Sequence, residues 1–416
     1  MTSTLCSSFM AQVMERENLK RALNQVQRNK GAPGVDGMSV DALSSYLKTH
    51  WESLKAQLLE ERYRPAPVKR VVIPKPDGGQ RKLGIPTVID RFIQQAVAQV
   101  LQRHWDDAFH DHSYGFRPRR SAHQAVRYAQ QTIQSGNKWL VDVDLKAFFD
   151  EVNHDRLMKR VQQRIHDDVL LRLINRYLKA GVLVNGKKVV CTKGVPQGGP
   201  LSPILSNIVL DELDSELQRR QHAFARYADD CIIFVSSIEA GKRVMKSITH
   251  FIEKTLRLKV NTQKSAVDRP WKRTFLGFTF SRRGSKLKVA SKAIEKLKAT
   301  IRLLSRRTRG HKLSHVIADL KKSLLGWKAY FDIAEVVSPL RDIDKWIRRK
   351  LRCYIWKQWG RAGYRNLRRL GIDVRLAWNT SKSAHGPWRL SGSPALYRAL
   401  SNRYFMNLGL PQLAAR

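Results

Sequence analysis

Two strand-like apolar stretches carry carboxylates with no obvious partners, and they restrict the fold more than any other feature. In Leu140-Val141-Asp142-Val143-Asp144-Leu145 the acids alternate with hydrophobes. A strand's period of two puts Asp142 and Asp144 on one face. Farther on, Asp229-Asp230 lies at the bend of a predicted hairpin, between Phe224-Ala225-Arg226-Tyr227 and Ile232-Ile233-Phe234-Val235. Adjacent carboxylates repel, and burying them unpaired is unfavourable. A divalent cation is the simplest compensation. Carboxylate and carbonyl oxygens suit Mg²⁺, which keeps several water or phosphate ligands. Two such strands meeting at one point can hold two ions about 3.5–4 Å apart, as in enzymes that transfer nucleotides. A lone Asp-Asp pair in a turn is ordinarily solvated. The aromatic and aliphatic flanks and the second acidic strand set this pair apart.

The charge balance points to the partner. The 416-residue chain has 77 Lys and Arg against 35 Asp and Glu, a formal +42. Such a field attracts polyanions, and nucleic acid is the usual one. Charge alone does not separate an enzyme from a basic binding protein. The excess is uneven: residues 281 to 416 hold 32 basic and 7 acidic side chains, or +25. The C-terminal third therefore reads as a dedicated nucleic-acid surface. At 42% hydrophobic residues the chain reads as globular, with two or three subdomains. The four cysteines, Cys6, Cys191, Cys231 and Cys353, form no C-x-x-C pair, so neither a zinc site nor a disulfide framework is expected. A reducing cytosol fits. No apolar run approaches the roughly 20 residues that cross a bilayer, and no secretory signal is visible.

The coarse element pattern is mixed. Helices are predicted over 10–29, 40–60, 88–104, 121–135, 201–220 and 238–257, with a turn at Gly31-Ala32-Pro33-Gly34. Strands are predicted at Arg70–Pro74, 138–145, 258–261, 273–280 and 286–289, with a turn at Asp77-Gly78-Gly79. Val182 to Val190 reads as a hairpin with Asn185-Gly186 at its tip. Residues 291–360 read as three helical segments, and the tail from 361 as irregular, with Trp378, Trp388 and Tyr404 among Gly, Ser and Asn.

Several motifs then carry a resemblance. Tyr227-Ala228-Asp229-Asp230 resembles the signature hairpin of reverse transcriptases, and Asp144-Leu145-Lys146-Ala147-Phe148-Phe149-Asp150 their first catalytic motif. Gly34-Val35-Asp36-Gly37 resembles the N-terminal extension of bacterial and non-long-terminal-repeat enzymes. Ile73-Pro74-Lys75-Pro76 through Arg81-Lys82-Leu83, Ser113-Tyr114-Gly115-Phe116-Arg117-Pro118 and Gly194-Val195-Pro196-Gln197-Gly198-Gly199-Pro200 follow in the family's order. So do Leu258-Lys259-Val260-Asn261 with Lys264, and Phe275-Leu276-Gly277-Phe278. Gly326-Trp327 and Trp346-Ile347-Arg348-Arg349 resemble the thumb and maturase region. Over nearly its whole length the chain is similar to group II intron reverse transcriptase/maturases of the compact class C type.

The resemblance implies roles. Asp144, Asp229 and Asp230 would hold two Mg²⁺ ions (Mn²⁺ can substitute), with help from the Leu145 carbonyl. Asp142 and Asp150 stand outside the motif positions and are read as structural. Lys75 and Arg81 would hold the triphosphate, because cations neutralise charge on transferring phosphoryl groups. Gln197, in a Gly-flanked turn opening a helix, would contact the deoxyribose. Phe149 would exclude a 2′-hydroxyl, or equally be core. Lys264 would protonate pyrophosphate, or cap a turn. Phe275, Leu276 and Gly277 would grip the primer, although a core strand has the same pattern.

In the last predicted helix, Lys345, Arg348, Arg349 and Arg352 fall on one side, while Ile347, Leu351, Tyr354 and Ile355 lie toward another. The first side is expected to track an RNA backbone, with Trp356, Trp359 and Trp378 as stacking candidates or core.

The expected fold class is α+β: a right-hand polymerase of fingers and palm, followed by an α-helical thumb/maturase domain. The expected divisions are an N-terminal extension at 1–39, fingers and palm at 40–285, thumb/maturase at 286–360 and a basic DNA- or RNA-binding tail at 361–416. The expected partners are an RNA template with a DNA or RNA primer, deoxynucleoside triphosphates, group II intron RNA and target DNA, and no membrane. The expected location is bacterial cytoplasm and nucleoid. No Cys- and His-rich endonuclease module follows the thumb, so target cleavage is expected to fall to the intron RNA. Three other readings stay open: an intron-independent bacterial reverse transcriptase in DNA repair or phage defence, an RNA-binding splicing factor without polymerase activity, and an RNA-making polymerase.

Overall fold

The computed structural model describes residues 8–74, 79–184, 186–308 and 310–414. Lys75, the Asp77-Gly78 turn and Asn185 lie outside the described residues. The chain divides into two compact units, Met1–Arg269 and Pro270–Arg416.

In the first unit, α1 (Phe9–Met14), α2 (Arg16–Asn29) and α3 (Leu43–Leu59) precede the hairpin of β1 (Val68–Pro74) and β2 (Gln80–Ile85). Next come α4 (Val88–Trp105), α5 (Ala122–Gln134), β3 (Trp139–Val143), α6 (Phe148–Glu151), α7 (His154–Gln162) and α8 (Asp168–Lys179). The unit closes with β4 (Val182–Val184), β5 (Lys187–Val189), α9 (Ser202–Arg219), β6 (Phe224–Tyr227), β7 (Asp230–Val235), α10 (Ile238–His250) and β8 (Ala266–Asp268).

The strands form two sheets. One runs β6-β7-β3-β8, with antiparallel neighbours throughout. The other runs β2-β1-β4-β5, with β1 and β4 parallel. Leu140, Val141 and Val143 of β3 and Cys231 through Val235 of β7 are all buried, so the middle of the first sheet is covered on both faces. α10 packs directly on this sheet, where a Cβ on its Gly241 would meet Val141, Val235 and Val267, and α5 lies against β6. Val88, Phe92, Ile93, Ala96, Val97, Val100 and Leu101 are buried almost all round α4, as expected of an interior helix. A Ser121/Gln124 capping box starts α5 at its expected position.

Two expectations for this unit change. The predicted strand at 258–261 reduces to one bridge, Val260 to Leu145. Arg257 takes a left-handed φ of 55°, which breaks an extended run there. The strand that flanks β3 is β8, which pairs Asp142 with Ala266. The helix predicted to 257 leaves α-geometry after His250 and finishes as a π-turn over Phe251–Thr255.

The second unit begins with β9 (Phe278–Phe280) and β10 (Leu287–Val289), an antiparallel pair. α11 (Ser291–Leu304), α12 (Leu313–Phe331) and α13 (Ser338–Trp359) follow as the three expected long helices. The predicted strand 273–280 is instead a two-residue turn leading into β9. Phe275 and Phe278 exchange both backbone hydrogen bonds at 2.9 Å, around Leu276 (φ 50°) and Gly277 (φ 81°). Two positive φ values in succession make a tight hairpin turn. The segment belongs with the helical unit because α12 holds it. Tyr330 Oη donates to the Leu276 carbonyl at 2.9 Å, and the Phe331 ring lies under Gly277. The division after Arg269 thus places residues 270–285, expected with the palm, in the second unit.

The tail is not irregular. It contains α14 (Gly363–Arg369), α15 (Val374–Lys382), α16 (Pro387–Leu390), α17 (Pro394–Ala399) and α18 (Asn402–Asn407). Two of the Ser residues that suggested loops are caps, as is Asp373. Asp373 accepts from the amides of Arg375 and Leu376, Ser393 from Leu396 and Ser401 from Tyr404. The chain then returns to α13, where the buried Asp344 carboxylate accepts the amides of Leu413 and Ala414, each at 3.0 Å. Asp344→Ala leaves those donors unmatched. It is expected to destabilise this unit by about 2–3 kcal/mol, read as a melting temperature several degrees lower in the full chain. An unchanged melt would show that this return segment adds nothing to stability. Among the described residues, no helix is long and apolar enough to cross a membrane.

Candidate active site

The sheet register brings the acidic strands together. Val143 pairs with Cys231 and Asp142 with Ile232, which sets Asp144, the next residue, beside Asp230. Tyr227 pairs with Asp230, so the turn itself is Ala228-Asp229, and Asp230 is the first residue of β7 rather than part of the bend. The carboxylates feel one another. Burial, then repulsion from Asp229, Asp142 and Asp144, pushes Asp230 up to about 6. Asp229 is also raised, by burial first and then by Asp144, while Arg81 pulls it down.

The donor set fits a hard divalent cation. Mg²⁺ takes one or two carboxylates and completes its shell with substrate phosphates and water. Among the described residues, no group of three His, Cys, Asp or Glu side chains is gathered closely enough to hold a metal ion by itself, so water and substrate phosphates would have to complete the shell. The Leu145 carbonyl is not one of the acceptors that flank its bridge to Val260. The bonds flanking the Leu145–Val260 bridge run from Lys146 N–H to the Lys259 carbonyl and from Asn261 N–H to the Asp144 carbonyl.

A raised acid has a definite sign. With a folded pKa above its ordinary value near 4, Asp230 favours folding most at low pH. That contribution disappears as pH rises through about 6. The carboxylate is closely surrounded but the residue still reaches solvent, which screens the effect, so the change in stability is modest. Without divalent metal, Asp230→Asn is expected to melt higher than the native chain at pH 7.5. The gap should narrow as pH falls from 6 toward 4. Equal melting across the range would show that the carboxylate is not under repulsion.

The backbone around Asp144 and the hairpin is held firmly. Ser265 Oγ accepts the Asp144 amide at 3.0 Å, and Lys264 is exposed in the turn just before it. Ala228 has a φ of 56°, in a position of the two-residue turn that favours Gly. Ser113-Tyr114-Gly115 runs alongside β6. The Tyr114 amide donates to the Arg226 carbonyl at 2.8 Å, and the Arg226 amide to the His112 carbonyl at 2.9 Å.

A cavity of about 320 Å³ is lined by Arg70, Lys82, Phe149, Gly194, Gln197 and neighbours. Phe149 reaches it because Ala147, at φ 49°, turns the chain out of β3 into α6. Phe149 is half-buried and also packs on the core, so both sequence readings of it have a basis. Arg81 Nε donates to Gln197 Oε1 at 3.3 Å. The two loops approach closely at two glycines, where a Cβ on Gly198 would lie 2.6 Å from the Gly84 carbonyl. Arg81, Gln197, Phe149 and the three aspartates are therefore all in the first unit. Phe275, Leu276 and Gly277 form the turn of the second.

On α13, Lys345 and Arg349 are exposed and Arg348 is half-buried, while Ile347, Leu351, Tyr354 and Ile355 are buried as expected. Arg352 departs from expectation. It is 4% exposed, donates to the Leu400 carbonyl at 3.0 Å and lies over the Tyr397 ring. A guanidinium enclosed by α17 cannot follow a phosphate chain, so Arg352 is a packing residue. Exposed cation–aromatic pairs stand elsewhere: Arg349 over Trp388 at 4.5 Å, and Lys382 over Trp378 at 4.8 Å.

An antiparallel sheet with one carboxylate at a strand end and two on the adjoining hairpin is the palm of a template-copying polymerase. Comparison with known proteins narrows the class. The family described as "Reverse transcriptase (RNA-dependent DNA polymerase)" matches residues 73–280, half of the chain. "Group II intron, maturase-specific domain" matches residues 294–371. The chain is 33% identical over 295 residues to Protein YkfC of Escherichia coli (strain K12), covering 61% of this chain and 77% of that protein. It is 35% identical over 212 residues to the group II intron-encoded protein LtrA of Lactococcus lactis subsp. cremoris, covering 51% of this chain and 35% of LtrA. The chain belongs to the reverse transcriptase family, and its polymerase region is followed by a group II intron maturase-specific domain.

Proposed function

We propose that the chain copies RNA into DNA from a primer 3′-hydroxyl and also binds group II intron RNA, promoting its splicing and its insertion into target DNA. One observation carries the polymerase reading: the β3–β7 register sets Asp144 beside Asp230, next to the Ala228-Asp229 turn, with Arg81 and Gln197 bonded to each other nearby. Asp144, Asp229 and Asp230, with the Leu145 carbonyl, would hold Mg²⁺. Bound there, the metal would lower the pKa of the attacking hydroxyl and neutralise charge on the leaving pyrophosphate. Arg81 and Lys75 hold the triphosphate. Gln197 orients the sugar, and Phe149 closes the space where a 2′-hydroxyl would sit. Lys264 supplies a proton to pyrophosphate. Phe275, Leu276 and Gly277 hold the primer strand. Lys345, Arg348 and Arg349 contact intron RNA phosphates.

Primer extension on an RNA template with Mg²⁺ and deoxynucleotides tests the reading. Long complementary DNA is expected from the native chain, and accelerated splicing when its cognate intron RNA is supplied. A folded chain that binds RNA tightly but makes no DNA would leave only the splicing-factor reading. Phe149→Ala is expected to lower discrimination against ribonucleotides by at least about tenfold, the scale of one steric contact in a pocket. Unchanged selectivity would return Phe149 to the core.

A further inference from the structure

Arg226 is the largest of the fully buried side chains, at 0% exposure, and nothing in its sequence context marks it as functional. A guanidinium has five N–H donors, and all five are occupied. Nε donates to Asp214 Oδ1 at 2.7 Å and Nη2 to Asp214 Oδ2 at 2.5 Å, a two-pronged pair with an equally buried carboxylate. The other Nη2 hydrogen goes to Ser113 Oγ at 2.7 Å. Nη1 divides its two between Asn207 Oδ1 at 3.1 Å and the Ala228 carbonyl at 3.0 Å. Asn207 extends the network, its Nδ2 donating to the Gly115 carbonyl at 2.8 Å.

The partners come from three parts of the chain. Asn207 and Asp214 lie on α9, which begins just after the Gln197 turn. Ser113 and Gly115 belong to the segment beside β6. The Ala228 carbonyl belongs to the turn that carries Asp229. A fork of fixed geometry thus ties the hairpin that carries Asp229 and Asp230 to α9, the helix that follows the Gln197 turn.

We infer that Arg226 is a positioning residue of the polymerase site, holding the Ala228-Asp229 turn so that Asp229 and Asp230 face Asp144. This rests on the reading of those aspartates as the catalytic carboxylates. A buried ion pair can exist only for packing, and the two roles separate experimentally. Replacing a whole buried pair with apolar residues is often neutral for stability, whereas removing one partner is not. Arg226→Met with Asp214→Leu keeps the packing and drops the link to the Ala228 carbonyl.

The full chain is measured in four forms: native, Asp229→Asn, the Arg226→Met/Asp214→Leu double variant, and Asn207→Ala. Three quantities are read besides the melting temperature. These are the single-turnover incorporation rate at saturating deoxynucleotide, the Kd for an RNA–DNA primer–template, and amide hydrogen exchange over residues 224–235 without metal or nucleotide. The double variant is expected to melt near the native temperature and bind primer–template within about threefold. It should incorporate roughly 30- to 100-fold more slowly, the scale of an ångström of misplacement, with exchange over the hairpin about tenfold faster. A double variant with native rate and native exchange overturns the inference. If it fails to fold, Asn207→Ala decides, since it leaves the ion pair intact. A rate at least about fivefold slower at unchanged Kd supports positioning, and a smaller effect overturns it. Synthesis retained by Asp229→Asn would overturn the reading of the aspartates themselves, whatever the Arg226 variants do.

Discussion

Asp229→Asn is expected to slow deoxynucleotide incorporation on an RNA template by at least about 10³-fold, a loss of roughly 4 kcal/mol of transition-state stabilisation. The substitution keeps the shape of the side chain and removes its charge. Asp229 is half-buried, lies near Arg81 and Asp144, and has its pKa raised mainly by burial. Its charge is therefore unfavourable in the protein without metal, and neutralising it does not destabilise the fold. The variant should melt at or slightly above the native temperature and bind primer–template as tightly. Loss of synthesis at full stability separates a chemical role from a structural one. Synthesis within tenfold of native would remove Asp229 from the metal site and leave the raised acids of this sheet without a function.

The candidate site was legible in the sequence where a residue type contradicts its neighbours. Acids in apolar strands, and a Gln among glycines at a helix start, stand out because ordinary folding does not call for them. The supporting groups were not legible for the opposite reason. Arg226 sits in a short strand segment and looks like a solvated charge until its partner is known, and Ser113 lies 113 positions away. A faint signal did exist. Asn207 and Asp214 are two helical turns apart, flanked by Ile204, Leu210 and Leu217, and polar groups so placed call for a buried partner. β8 has three residues and no periodicity to read, and its place beside β3 comes from long-range pairing. The tail misled because Ser and Asn mark both loops and helix starts. On α13, helical spacing put Arg352 with the cations, but α17, which covers it, was not foreseen.

Gly115→Ala is expected to slow synthesis by roughly 100-fold, with no chemistry removed. Gly115 does not require a left-handed φ, so backbone freedom is not what fixes it. Space is. A Cβ there would lie 2.2 Å from the Ala228 amide nitrogen and 2.9 Å from the Tyr227 carbonyl carbon. Neither atom can move as a side chain would, because each is part of the hairpin that carries Asp229 and Asp230. The Gly115 segment cannot easily withdraw either, since its carbonyl accepts from Asn207 and the Tyr114 amide is bonded to Arg226. Overpacking of this kind costs about 1–3 kcal/mol, which a chain of this size should survive. The adjustment then falls on the hairpin, and a shift of about 1 Å at the carboxylates reduces turnover by roughly 100-fold. The expected result is a folded protein with near-native primer–template binding and a rate lower by that factor. A rate within threefold of native would mean that the hairpin tolerates displacement. Positioning by its buried neighbours, Arg226 included, would then be a weak constraint on the chemistry.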